Sequence, residues 1–257
     1  MERKQDNPWK GLDSYRESDR LYGRDEEIEV LFSRIEYNMQ TVVYSRSGIG
    51  KSSLINAGIF PKARKAGMLP VSIRLQHSAV KGEMGIPYIE QVKSTVDAEL
   101  SRIGGRAEEL VPHKEGHEET LWEYLHRFRF YASTEGEEQQ VVPLLVFDQF
   151  EEIFTLEKNI GRIVDFFAQV ADLLNGVMPE YLVVEKEVSV AEKPANSRVN
   201  IFKSMKDRLR NTGADYLQED AFHVVFTLRE DYLSYLERYT TNIPSLKMNR
   251  YCLLPIT

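Results

Sequence analysis

A single cysteine, Cys252, stands in the 257 residues, so no internal disulfide and no thiolate zinc cluster can be built. That fits a reducing compartment. Beside Leu253, the thiol is expected to behave as a small buried apolar side chain. Positive charge is also scarce. With 33 Lys and Arg against 40 Asp and Glu the net charge is −7, which opposes a polyanion as main partner because nucleic-acid binding relies on cations that neutralise phosphates. Long apolar runs are missing. The longest, 141–147, contains Pro143 and is far too short to span a bilayer. The first residues carry Glu2, Arg3, Lys4 and Asp6 instead of the apolar stretch of a secretory signal. A cytoplasmic protein with no membrane partner is expected. No internal repeat, heptad pattern or long low-complexity tract breaks the chain.

What is there is an ordinary folding composition, 42 % hydrophobic and 28 % charged. Short β-rich runs alternate with helical periods, the pattern of an α/β layer fold around a mostly parallel sheet. Five strands are predicted, at 41–44, 71–75, 144–147, 222–227 and 252–256. Ile28, Leu31, Phe32 and Ile35 share one helical face, as do Leu121, Trp122, Leu125 and Phe128. Ile163, Phe166, Phe167, Val170, Leu173 and Leu174 make a third stripe, stopped by Asn175-Gly176. Two stretches, 133–140 and 176–198, read as surface insertions.

The most informative segment is Thr41-Val42-Val43-Tyr44 followed by Ser45-Arg46-Ser47-Gly48-Ile49-Gly50-Lys51-Ser52-Ser53, a strand, a glycine-bearing loop and a helix start. This is the pattern of a Walker A loop. Ser47 to Gly50 would turn backbone N–H groups toward phosphate oxygens, Lys51 would reach the β- and γ-phosphates, and Ser52 would ligate Mg²⁺. Ser45 stands where the pattern has its first glycine, a small-for-small exchange.

A metal site of this kind needs a carboxylate at the end of a buried strand. Leu144-Leu145-Val146-Phe147-Asp148 supplies it, with Asp148 as the Walker B acid. Gln149 follows, and an amide cannot take a proton from water. The base is therefore expected at Glu151 or Glu152, Glu151 being preferred, although both also suit the acidic first turn of a solvated helix. The fourth strand runs into Leu228-Arg229-Glu230-Asp231. Arg229 can sense a γ-phosphate from the ligand side of the sheet or pair with a neighbouring acid, and both readings stay open. His113 and His117, separated by Gly116 and with no cysteine nearby, are expected to be structural, as are Arg127 and Arg129.

Taken together, Asn7-Pro8-Trp9-Lys10-Gly11-Leu12, Leu21-Tyr22-Gly23-Arg24, the Walker A loop running into Leu54-Ile55-Asn56-Ala57-Gly58, Asp148-Gln149-Phe150-Glu151-Glu152 and Thr227-Leu228-Arg229-Glu230-Asp231-Tyr232 resemble the novel STAND NTPase 1 domain. The resemblance implies a P-loop NTPase three-layer α/β sandwich of the additional-strand, AAA+/STAND-like type, whose five-stranded sheet separates the Walker A and Walker B strands by another strand. It implies an N-terminal segment, 1–23, that adds Tyr22 and Gly23, with Arg24, to an adenine pocket, and a core over 24–257. It implies ATP and Mg²⁺ as ligands held by residues 47–53 and Asp148, and Arg229 as a sensor. In NACHT-type relatives an acid three residues after the Walker B aspartate takes part in hydrolysis, the position of Glu151 here. The family usually continues into helical and winged-helix regions, so the chain is expected to be either a piece of a longer protein or a minimal version.

Three functions compete. The first is a nucleotide-operated signalling switch with slow ATP hydrolysis, which the resemblance links to bacterial, including antiviral, defence or stress signalling, with a protein partner or self-association through regions beyond this chain. The second is a nucleotide-binding scaffold without turnover, favoured by Gln149. The third, an origin-recognition-like AAA+ ATPase on DNA, is opposed by the acidic charge balance.

Overall fold

The computed structural model describes residues 14–77, 85–110, 112–113, 115–134, 137–179 and 222–256. The Asn7 to Leu12 motif and most of the expected insertion at 176–198 lie outside the described residues. The chain divides into two compact units, one formed by residues 1–85, 143–159 and 223–257, the other by 86–142 and 160–222.

The first unit opens with helix α1 (Asp25–Tyr37), whose first turn carries Asp25, Glu26 and Glu27 where the helix dipole favours negative charge. Strand β1 (Gln40–Ser45) leads through a loop into α2 (Lys51–Ser53), a π-helical stretch (Leu54–Ile59) and α3 (Phe60–Lys65). Pro61 accounts for the widened turn: it has no N–H to give, and its ring would crowd the carbonyl four residues back in a regular helix. Strand β2 (Met68–Ile73), the final residues of β5 (Glu137–Phe147), helix α6 (Glu152–Thr155), β6 (His223–Arg229) and β7 (Arg250–Cys252) belong to the same unit, with short helical turns between β6 and β7.

Its strands run in the order β2-β5-β6-β1-β7, so β6 separates β1 from β5. The pairs β5 with β6, β6 with β1 and β1 with β7 are all parallel. The five expected strands are present, with shifted ends: the second begins three residues earlier than expected and the fifth covers 250–252 instead of 252–256. Period-two alternation sends Val43, Leu144, Val146, Val225 and Leu253 to one face, where Leu31, Ile35, Leu54 and Ile59 cover them. Gly58 allows the close approach of α1: a methyl group there would sit 2.6 Å from Ile28 Cγ1. Cys252 is exposed, correcting the buried expectation. β7 ends the strand order, and its neighbour Leu253 takes the core position at 2 % exposure.

In the second unit, α4 (Tyr88–Arg102) and α5 (Leu121–Arg127) pack on α7 (Ile160–Asn175), which ends, as its stripe predicts, before a left-handed Gly176. Strand β3 (Arg106–Glu109) pairs antiparallel with β4 (Phe128–Thr134), and β4 with the start of β5. Two expectations are corrected here. Phe128 opens β4 instead of closing the α5 stripe, and within the expected insertion residues 133–134 and 137–140 form paired strand ends. Their ladder is solvated, Glu137 to Gln140 being exposed, so no apolar run announces it. His113 meets Glu123 at 2.8 Å through one ring nitrogen and the carbonyl of His117 at 2.9 Å through the other.

Candidate functional site

The loop after β1 turns on two glycines in the left-handed region, Gly48 at φ 79° and Gly50 at φ 98°. A Cβ at either would meet nothing within 4 Å, so the demand is on the backbone and not on space. Ser47 and Gly48 are exposed, and Ile49 and Gly50 partly so. The Lys51 ammonium folds back over this loop, 3.1 Å from Ser45 Oγ and 3.3 Å from the Arg46 carbonyl. Burial pushes Lys51 below the ordinary lysine range, while the charges of Glu151 and Asp148 pull the other way.

Asp148 follows the last residue of β5. Ser52 Oγ lies 3.0 and 2.9 Å from its two carboxylate oxygens. A carboxylate accepts only, so Ser52 donates and its lone pairs are free to face a cation. The donors that meet here are hard oxygens at short range, the set that suits Mg²⁺. The chain then reverses. Gln149 takes φ 53°, the one positive φ outside glycine among the described residues, a conformation costing about 1–2 kcal/mol. Phe150 and Ile153 anchor the turn in the core, Phe150 packing 4.6 Å from the Phe226 ring.

That reversal separates the two acids. Glu152 is engaged by Arg74, Nε at 3.1 Å and Nη2 at 2.5 Å. Glu151 keeps Oε2 buried with no hydrogen-bond partner. Burial raises its pKa, while backbone N–H groups and the Lys51 charge lower it. Arg74, which the sequence reading did not single out, is therefore the residue that distinguishes the pair. Its place next to the end of β2 was the available signal.

Arg229 closes β6, where its Nη2 donates to Asp231 at 2.6 Å, so the ion-pair reading describes the structure as it stands. Nε of the same guanidinium is buried without a partner. Arg46 pairs with Glu230 at 3.1 Å. At the N-terminal side Tyr22 is 58 % exposed beneath the Arg20 guanidinium, and Gly23 is left-handed. Arg24 is buried, donating to Glu27, to the carbonyl of Leu254 at 2.7 Å and to that of Ile49 at 3.3 Å. The hydroxyl of Ser53 accepts from the backbone N–H of Tyr15 at 3.2 Å. The structure thus brings Lys51, Ser52, Asp148 and Glu151 together, whereas Arg24 and Ser53 hold the N-terminal segment to the loop.

A glycine-turned loop between a buried strand and a Lys-Ser helix start, faced by an acid two strands away in a β2-β5-β6-β1-β7 order, defines a P-loop nucleotide-binding NTPase domain of the additional-strand type. The chain belongs to the novel STAND NTPase 1 family, which matches residues 8–257. No curated protein matches it in sequence. Among solved structures, the ADP form of the Aeropyrum pernix ORC2 protein is similar with a TM-score of 0.45 and 12 % identity, over 95 % of this chain and 51 % of that one. The ADPNP-ADP complexes of the same protein give 0.42 and 15 %, over 96 % and 52 %. The chain spans about half the length of these structures. No helix among the described residues is long and apolar enough to cross a membrane.

Proposed function

We propose that this domain is an ATP·Mg²⁺-operated switch with slow hydrolysis, serving signalling through a protein partner. The observation that carries the reading is the convergence of Lys51, Ser52, Asp148 and Glu151, one of whose carboxylate oxygens is buried without a partner, at the carboxyl ends of β1 and β5. Lys51 would release the loop carbonyls for phosphate oxygens. Ser52 and Asp148 would hold Mg²⁺, which when bound neutralises phosphate charge and acts as a Lewis acid. Glu151, whose ionised form the Lys51 charge favours while burial raises its pKa, would accept the proton of an attacking water. Arg229 would exchange Asp231 for the γ-phosphate, a change in partners that gives the two nucleotide states different contacts. The family membership supports the nucleotide part of this reading; defence or stress signalling rests on the family resemblance alone.

Thermal denaturation of wild type and Lys51→Ala during titration with ATP·Mg²⁺, followed by a phosphate-release assay, tests it. A saturable rise in melting temperature confined to wild type, with slow phosphate release, is expected. Binding without any release would favour the scaffold instead. Salt-sensitive binding to DNA would favour the third reading.

A further inference from the structure

Thr227 is out of character with its strand. It places a hydroxyl in the run Val224-Val225-Phe226-Thr227-Leu228 and has no solvent exposure. A buried hydroxyl needs partners, and those of Thr227 settle its polarity. The Asp148 carboxylate can only accept and the Gln149 N–H can only donate. Thr227 therefore donates to Asp148 Oδ1 at 2.6 Å and accepts from Gln149 N at 3.1 Å. Its backbone carbonyl takes the N–H of Phe150 at 2.8 Å. One residue of the neighbouring strand thus grips three consecutive positions, including the left-handed Gln149.

Resting on the nucleotide reading above, we propose that Thr227 is a positioning residue for the metal-binding carboxylate. It holds Oδ1, so that Asp148 presents a fixed edge to Ser52 and the cation. Through Gln149 and Phe150 it also sets where Glu151 leaves the turn. Acting through Asp148, it needs no contact of its own with nucleotide or metal. Groups that orient a metal ligand in this way commonly change metal affinity about 10- to 100-fold when removed.

The test uses the whole chain as wild type, Thr227→Val and Thr227→Ser. Each is titrated calorimetrically with ATP, once with Mg²⁺ and once with EDTA, and its melting temperature is recorded. In Thr227→Val the tightening that Mg²⁺ brings should shrink about tenfold or more while affinity in EDTA is kept. Thr227→Ser, which retains the hydroxyl, should restore it. Thr227→Ala gives the same readout should the valine variant not fold. A merely structural role would lower the melting temperature and leave the Mg²⁺ effect at its wild-type size, and that result overturns the proposal. An equal loss with and without Mg²⁺ overturns it as well. Wild type that binds no ATP in either buffer removes the nucleotide reading itself, and this inference with it.

Discussion

Arg74 closes on Glu152 with two nitrogens, at 3.1 and 2.5 Å, while the adjacent Glu151 keeps a buried carboxylate oxygen that no donor meets. The two acids are therefore not interchangeable. Glu151→Gln should retain ATP binding and lower single-turnover phosphate release by about 100-fold or more, the usual contribution of a positioned base. Glu152→Gln should leave the rate nearly unchanged. Arg74 is 61 % exposed, so losing this pair should cost no more than about 1 kcal/mol. The reverse pattern of rates would move the base to Glu152.

A second expectation concerns pH. Burial holds the folded-state pKa of Glu151 above the ordinary 4.5, so between those two values the native chain binds more protons than the unfolded one. The stability contributed by this group is thus full below 4.5 and lost as pH rises through the folded value. Without nucleotide, Glu151→Gln should melt above wild type at neutral pH, and the gap should close on acidification. Melting curves of the two proteins across pH check it; a gap that widens in acid contradicts the assignment.

Gly58→Ala should destabilise the domain by about 1–3 kcal/mol, because the new methyl would overlap Ile28 in a close-packed contact. Urea denaturation measures this. The double variant Gly58→Ala with Ile28→Val, which trims the opposing side chain, should recover part of the loss.

Phe150→Ala should cost about 3–5 kcal/mol by opening a cavity among Phe147, Phe154 and Phe226. It should also slow phosphate release, since Phe150 anchors the turn between Asp148 and Glu151. If folded Phe150→Ala turns over at the wild-type rate, the turn is positioned by other contacts.

The strand, loop and helix start of the Walker A pattern were legible because they are contiguous, and two glycines of that loop are left-handed. Asp148 was legible for a similar reason, as an acid ending an apolar run. The choice between Glu151 and Glu152 was not, because it depends on Arg74, far away in the chain. Thr227 could have been found: a hydroxyl inside an apolar strand has to be answered by something. The pairing of 130–134 with 137–141 escaped because its outer residues are solvated on an antiparallel ladder, where hydropathy carries little signal. Cys252 was misplaced because so short a strand leaves alternation too few residues to establish which side faces the core.

One guanidinium, that of Arg24, holds the carbonyl of Ile49 inside the phosphate loop and the carbonyl of Leu254 just past β7. The two peptide groups are far apart in sequence, yet they share a single rigid, planar donor. A pull that shifts Leu254 would therefore reach Ile49 through one side chain, and a change of grip in the loop would travel the other way. The joint is a direct tie, two hydrogen bonds long, between the loop and the chain just past the edge strand.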